Sequence, residues 1–193
     1  MTDTTTADDR DAVVAEVVEE LSSPTTIGVE AYVSEAYARA ERDKLWRKVW
    51  QQVGRVEEIP EVGGYLTYDI LDDSIIVVRR EPGNSSSSFS AHHNVCMHRG
   101  RRLVDTPTGA KNACDKARKS FVCGFHGWSY GLDGACTHIC EKRDWQGALT
   151  PENTHLQPVR VDTWGGWLWI NMDPDCEPLA DYLRRLMAAG LKT

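Results

Sequence analysis

Two short stretches hold the residue types that bind transition metals: Cys96-Met97-His98 and Cys123-Gly124-Phe125-His126. Each couples a thiol to an imidazole across one or two residues. Thiolate and neutral imidazole are both strong ligands for zinc and iron. A glycine follows each pair, Gly100 and Gly127, where the backbone can fold around an ion. Two Cys and two His suit zinc as well as an iron–sulfur cluster.

The elements that would position these residues are short strands. Gly63-Gly64 makes a turn, and Tyr65 to Ile70 reads as a strand. Asp72-Asp73 makes the next turn, and Ser74 to Arg80 reads as its partner, with Ile75-Ile76-Val77-Val78 buried. Pro82-Gly83-Asn84 and four serines form a loop. Phe89 to Val95, Ser120 to Cys123, Val159 to Thr163 and Trp167 to Asn171 are further strands. The fold class is therefore mainly β, short antiparallel sheets behind an N-terminal helical leader. In that leader Asp9 to Leu21 has helical spacing and ends at Ser22-Ser23-Pro24. Ser34 caps a second helix running to about Trp50, with Val33, Tyr37, Leu45 and Trp46/Trp50 on one buried stripe. Pro178 to Ala189 reads as a last helix.

The β setting bears on the metal. A zinc finger usually pairs Cys with Cys and His with His, with the His pair on a helix. Here each loop contributes one of each. That suits a Rieske 2Fe–2S centre, in which one iron takes two Cys and the other two His.

The stretch Asn94-Val95-Cys96-Met97-His98-Arg99-Gly100-Arg101-Arg102-Leu103, with Phe121 to Gly134, resembles the N-terminal Rieske half of ring-hydroxylating oxygenase α subunits. The segment ending Trp46-Arg47-Lys48-Val49-Trp50 and the Gly165-Gly166-Trp167 run resemble the same family, so the likeness covers about residues 28–185. It implies that Cys96 and Cys123 bind one iron and His98 and His126 the other. It implies an oxidoreductase component, dioxygenase or monooxygenase, of the kind used in aromatic hydrocarbon catabolism. Electrons would come from a ferredoxin or flavin reductase. They would pass to a mononuclear Fe(II) in a C-terminal catalytic domain, within a homo-oligomer, a trimer for the full-length protein. High-potential Rieske proteins carry an extra Cys in each ligand loop. These loops have none, which places the potential at the low end, about −150 mV.

Two features depart from the family. The 24 residues between His98 and Cys123 exceed its usual gap, the excess falling in Thr106 to Lys119. No D-x-x-H-x-x-x-x-H run occurs, and Glu152-x-x-His155 has no second His after it. The chain by itself is therefore not expected to turn over substrate, and no catalytic residue is assigned. The expected organisation is an acidic tail and helix over 1–27 and a Rieske domain with helical leader over 28–177. The stretch 178–193 would begin a linker toward a catalytic domain the chain does not hold. Two other readings remain open: a stand-alone Rieske ferredoxin and a zinc-stabilised binding module.

Length and charge narrow the rest. One domain is the default for 193 residues. The formal charge is −7, and residues 1–20 account for −6 of it, so the basic excess of a nucleic-acid binder is lacking. No apolar run reaches the length of a membrane helix and no secretory signal opens the chain, so a cytoplasmic location is expected. Between His98 and Cys123 seven bases face only Asp105 and Asp115, a local net of +5. That patch suits an acidic donor protein. His92 and His93 read as structural, Trp128 and Tyr130 as packing, and the Trp164/Trp167/Trp169 run as β core. Cys114, Cys136, Cys140 and Cys176 read as incidental thiols without a His partner at ligand spacing.

Overall fold

The computed structural model describes residues 28–105, 114–116 and 119–189. The helix expected over Asp9 to Leu21 and most of the Thr106 to Lys119 segment lie outside them. The chain divides into two units, residues 1–41 and 42–193.

In the first unit, helix α1 (Glu30–Val33) and helix α2 (Glu35–Glu41) meet at Ser34. The Ser34 hydroxyl accepts the Tyr37 N–H at 3.3 Å, the cap the sequence predicts. The expected buried stripe is not realised: Val33 is 73% exposed and Tyr37 45%. Helical spacing marks a face that could be buried, not one that is.

The second unit opens with a widened π-helical turn, Arg42–Trp46, and the helix does not reach Trp50. Side chains there bond outward instead. Arg47 forks onto both Asp73 oxygens at 2.8 Å each, Arg42 reaches Asp72 at 2.7 Å, and the Gln51 amide takes the Trp46 carbonyl. Leu45, assigned to the stripe, is 41% exposed, whereas Trp50 is buried and donates its indole N–H to the Glu177 carbonyl.

Among the described residues ten strands follow: β1 (Gln51–Arg55), β2 (Gly64–Ile70), β3 (Asp73–Arg79), β4 (Phe89–His93), β5 (Cys114–Lys116), β6 (Ser120–Val122), β7 (Ser129–Gly131), β8 (Cys136–His138), β9 (Pro158–Trp164) and β10 (Trp167–Asn171). The larger sheet has the order β1-β10-β9-β4-β3-β2-β5, and the smaller is β6-β7-β8. All pairings are antiparallel. Strands β1, β5, β7 and β8 were not expected from the sequence. Helix α3 (Pro151–Thr154) and helix α4 (Leu179–Ala188) complete the unit.

Strand β3 holds the two sheets together. Ile75 and Val77 pack into the main core with Val53, Leu66, Phe89, Leu168 and Ile170. Ile76 and Val78 face the other way, onto Phe121 of β6. All four β3 residues are fully buried, as their run of β-branched side chains predicts. Burying Phe121 is worth about 2–3 kcal/mol and seats the small sheet on the large one. The tryptophan run is not all core. Leu168 and Ile170 of β10 are buried, while Trp164 at the β9–β10 turn is 51% exposed.

Candidate metal centre

The two Cys/His motifs fold into matching loops. One follows β4, and the other joins β6 to β7. In the first, the Cys96 N–H bonds the Arg101 carbonyl at 2.7 Å and the Gly100 N–H returns to the Cys96 carbonyl at 2.9 Å. In the second, the Cys123 N–H bonds the Trp128 carbonyl at 2.8 Å and the Gly127 N–H returns to the Cys123 carbonyl at 3.0 Å. Gly100 and Gly127 both have φ +73°, a conformation that costs a side-chain-bearing residue free energy. Glycine after each motif is thus required by the turn.

Both thiols point inward. Cys96 and Cys123 are 2% and 3% exposed, among Trp128, Tyr130 and Leu156. Each sulfur is met by donors. Tyr130 Oη lies 3.1 Å from Cys96 Sγ and accepts the Met97 N–H at 3.1 Å. The His98 N–H also faces Cys96, and the Phe125 and His126 N–H groups face Cys123. Burial raises the Cys96 pKa, and its neighbour Cys123 adds to this. Burial also opposes the Cys123 thiolate, but the two N–H groups and Cys96 outweigh it, so the Cys123 pKa is lowered. The second loop favours negative charge on its sulfur, while burial holds the first thiol toward its protonated form.

The imidazoles lie together, ring centroids 4.6 Å apart. His98 stacks on Trp128 at 5.0 Å and 5°. Partial burial, His126 and Arg99 lower the His98 pKa, which favours the neutral form a metal needs. Nδ1 of His126 is buried without a hydrogen-bond partner, an open donor position. A structural zinc site wants four ligands on one ion, whereas a binuclear cluster takes two per iron. Two buried thiols and two adjacent imidazoles fit the second arrangement.

The two predicted thiols share one buried cluster with Trp128, and the two predicted imidazoles lie ring beside ring with His98 stacked on that same indole. His92 is buried, as a structural residue would be. The sequence reading missed other contributors. Asn94, 1% exposed, ties off the first loop: its amide donates to Val104 O at 2.7 Å and Ser74 Oγ at 3.1 Å, and its oxygen accepts Leu103 N and Val104 N at 3.0 Å each. Tyr130 bonds the Cys96 sulfur rather than merely packing. The description of Cys136 and Cys140 as lacking a His partner needs correction, because Cys136-Thr137-His138 repeats the C-x-H spacing and His138 Nε2 lies 3.6 Å from Cys140 Sγ. The basic patch is weaker than its count. Arg101 pairs with Asp105 and Arg102 with Asp69, both at 2.8 Å.

Comparison with known proteins gives consistent results. Over 169 residues the chain is 30% identical to the carnitine monooxygenase oxygenase subunit of Escherichia coli K12, covering 86% of this chain and 41% of that protein. Over 173 residues it is 30% identical to the biphenyl 2,3-dioxygenase α subunit of Rhodococcus jostii RHA1, covering 90% and 35%. A solved structure of a quaternary ammonium Rieske monooxygenase superposes with TM-score 0.70 at 25% identity, over 84% of this chain and 44% of the other. The chain spans less than half the length of these relatives. Among the described residues no helix is long and apolar enough to cross a membrane. The Rieske [2Fe-2S] domain profile matches residues 49–161, which contain both ligand loops and the strands that carry them. The chain belongs to the Rieske [2Fe-2S] domain family, and the relatives it resembles include oxygenase subunits.

Proposed function

We propose that Cys96 and Cys123 hold one iron of the cluster and His98 and His126 the other, and that this domain is the electron-transfer part of a terminal oxygenase. The observation that carries the reading is the pair of matching loops, which bury two donor-lined thiols and set two imidazoles 4.6 Å apart. The bound cluster would supply one-electron transfer and no bond chemistry on substrate. The protein's share is positional. Backbone N–H groups and Tyr130 stabilise charge on sulfur, while the imidazoles stand beside an open cleft. A ferredoxin or flavin reductase would deliver electrons there, and a mononuclear iron in the assembled oxygenase would receive them.

Electron paramagnetic resonance of the reduced protein, with iron and sulfide analysis, tests this. Two irons and two sulfides per chain and a Rieske signal are expected. His98→Cys or His126→Cys should abolish that signal, and Cys96→Ser should lose the iron. An average g value near that of an all-Cys ferredoxin, or a colourless zinc protein, would overturn the assignment.

A further inference from the structure

Beside the ligand loops lies one turn whose backbone is strained. Lys142–Trp145 form a single 3-10 turn, held by Asp144 N–H to Glu141 O at 2.9 Å and Ala148 N–H to Trp145 O at 2.9 Å. Glu141 (φ 56°, ψ 32°) and Gln146 (φ 49°, ψ 33°) bracket it in the left-handed region. Among the described non-glycine residues only Leu71 shares a positive φ, and it sits in the β2–β3 turn, where that is common. Left-handed residues of ordinary type at both ends of one turn persist only where the surroundings hold them.

What the turn presents is Trp145. Its indole stands edge-on to His98 at 5.7 Å and 74°, and edge-on to Trp128 at 5.8 Å and 68°. His98 is already flat on Trp128. The imidazole therefore sits in a corner of two indoles: Trp128 sets its plane, and Trp145 stops it swinging out. Trp145 remains 36% exposed, on the rim of a cleft of about 380 Å³ shared with His98, His126, Arg99 and Asp144.

We propose that Trp145 is a positioning residue for His98, which holds the imidazole plane and keeps water from its outer edge. This rests on His98 being a cluster ligand. The reduced centre carries one more negative charge than the oxidised one, and water near the histidine side would stabilise it. Shielding by Trp145 therefore keeps the potential low.

The test uses the cluster-loaded full chain, with Trp145→Phe, Trp145→Ala and Trp145→Leu. Nitrogen hyperfine couplings, deuteron modulation in heavy water and the midpoint potential are read on each. Trp145→Ala should alter one of the two histidine nitrogen couplings and gain deuteron modulation. It should also raise the one-electron reduction equilibrium about three- to tenfold, tenfold being 59 mV. Trp145→Phe should keep the wild-type values. Trp145→Leu keeps apolar bulk without the flat ring and serves the same comparison if the alanine variant loses its cluster. Wild-type couplings, modulation and potential in the ring-less variants would overturn the proposal while leaving His98 a ligand. A wild-type protein without the Rieske signal would instead overturn the ligand assignment beneath it.

Discussion

Tyr130 Oη sits 3.1 Å from Cys96 Sγ, joining a strand of the small sheet to the buried thiol of the loop that follows β4. Burial pushes the phenol pKa up, with Cys96 adding to the effect, so Tyr130 stays a protonated donor. A donor to a ligand sulfur favours the reduced, more negative centre. Tyr130→Phe keeps the fully buried ring and removes the hydroxyl, both the donor to Cys96 and the acceptor of the Met97 N–H. The midpoint potential should fall by about 60 mV, a tenfold change in the one-electron equilibrium. A redox titration followed by electron paramagnetic resonance checks this, and an unchanged potential would show that the contact does not reach the cluster.

The matching glycines differ in one respect. A Cβ on Gly100 would meet nothing within 4 Å, while one on Gly127 would meet Cys140 Sγ at 3.3 Å. Gly100→Ala should cost about 1–2 kcal/mol from the left-handed backbone alone. Gly127→Ala should cost more, and pairing it with Cys140→Ala should bring the loss back to the Gly100→Ala value. Denaturant unfolding of the three variants decides, and equal losses without the second substitution would rule out the thiol contact.

Asn94→Ala should destabilise the domain by about 1–3 kcal/mol, since it strands the half-buried Leu103 and Val104 N–H groups and the Val104 carbonyl. Cluster retention should fall with it, because Cys96 lies on the loop that Asn94 closes. Thermal unfolding and iron content measure both. A loss below about 0.5 kcal/mol, the size of an ordinary surface substitution, would show that water replaces the side chain.

Burial pushes the His92 pKa down to about 4. The ring lies against Gly134, where an added Cβ would come within 2.4 Å of it. The folded state thus binds fewer protons than the unfolded chain, whose histidine titrates near 6.5. Stability from this residue is intact above pH 6.5, declines as the pH falls toward 4, and levels off below that. The loss is on the order of 3 kcal/mol. His92→Gln should flatten that part of the stability-against-pH curve. A slope equal to wild type between pH 6.5 and 4 would place the proton uptake elsewhere.

The chemistry of the centre was legible in the chain because it is written in local spacing. A thiol, an imidazole and a glycine within five residues define a loop regardless of what surrounds it. Strands β2, β3, β4, β9 and β10 were legible for a similar reason: alternation and β-branched runs are properties of a few consecutive residues. The length of the second helix and its buried stripe were misjudged. Arg42 and Arg47 found carboxylates on a distant turn, and periodicity does not say which partner a face will meet.

Tertiary structure alone decided the rest. Strand β1 exists because Gln51–Arg55 pairs with Trp167–Asn171, more than 100 residues away. Asn94 became a clasp, Tyr130 a sulfur donor and Trp145 a wall for His98 only once separate segments were packed side by side. By itself the sequence determined which atoms can bind metal and the turns that present them, since both are short-range. The orientation of the imidazoles, the hydrogen bonds on sulfur and the shielding of the site depend on contacts between remote residues, which no local pattern encodes.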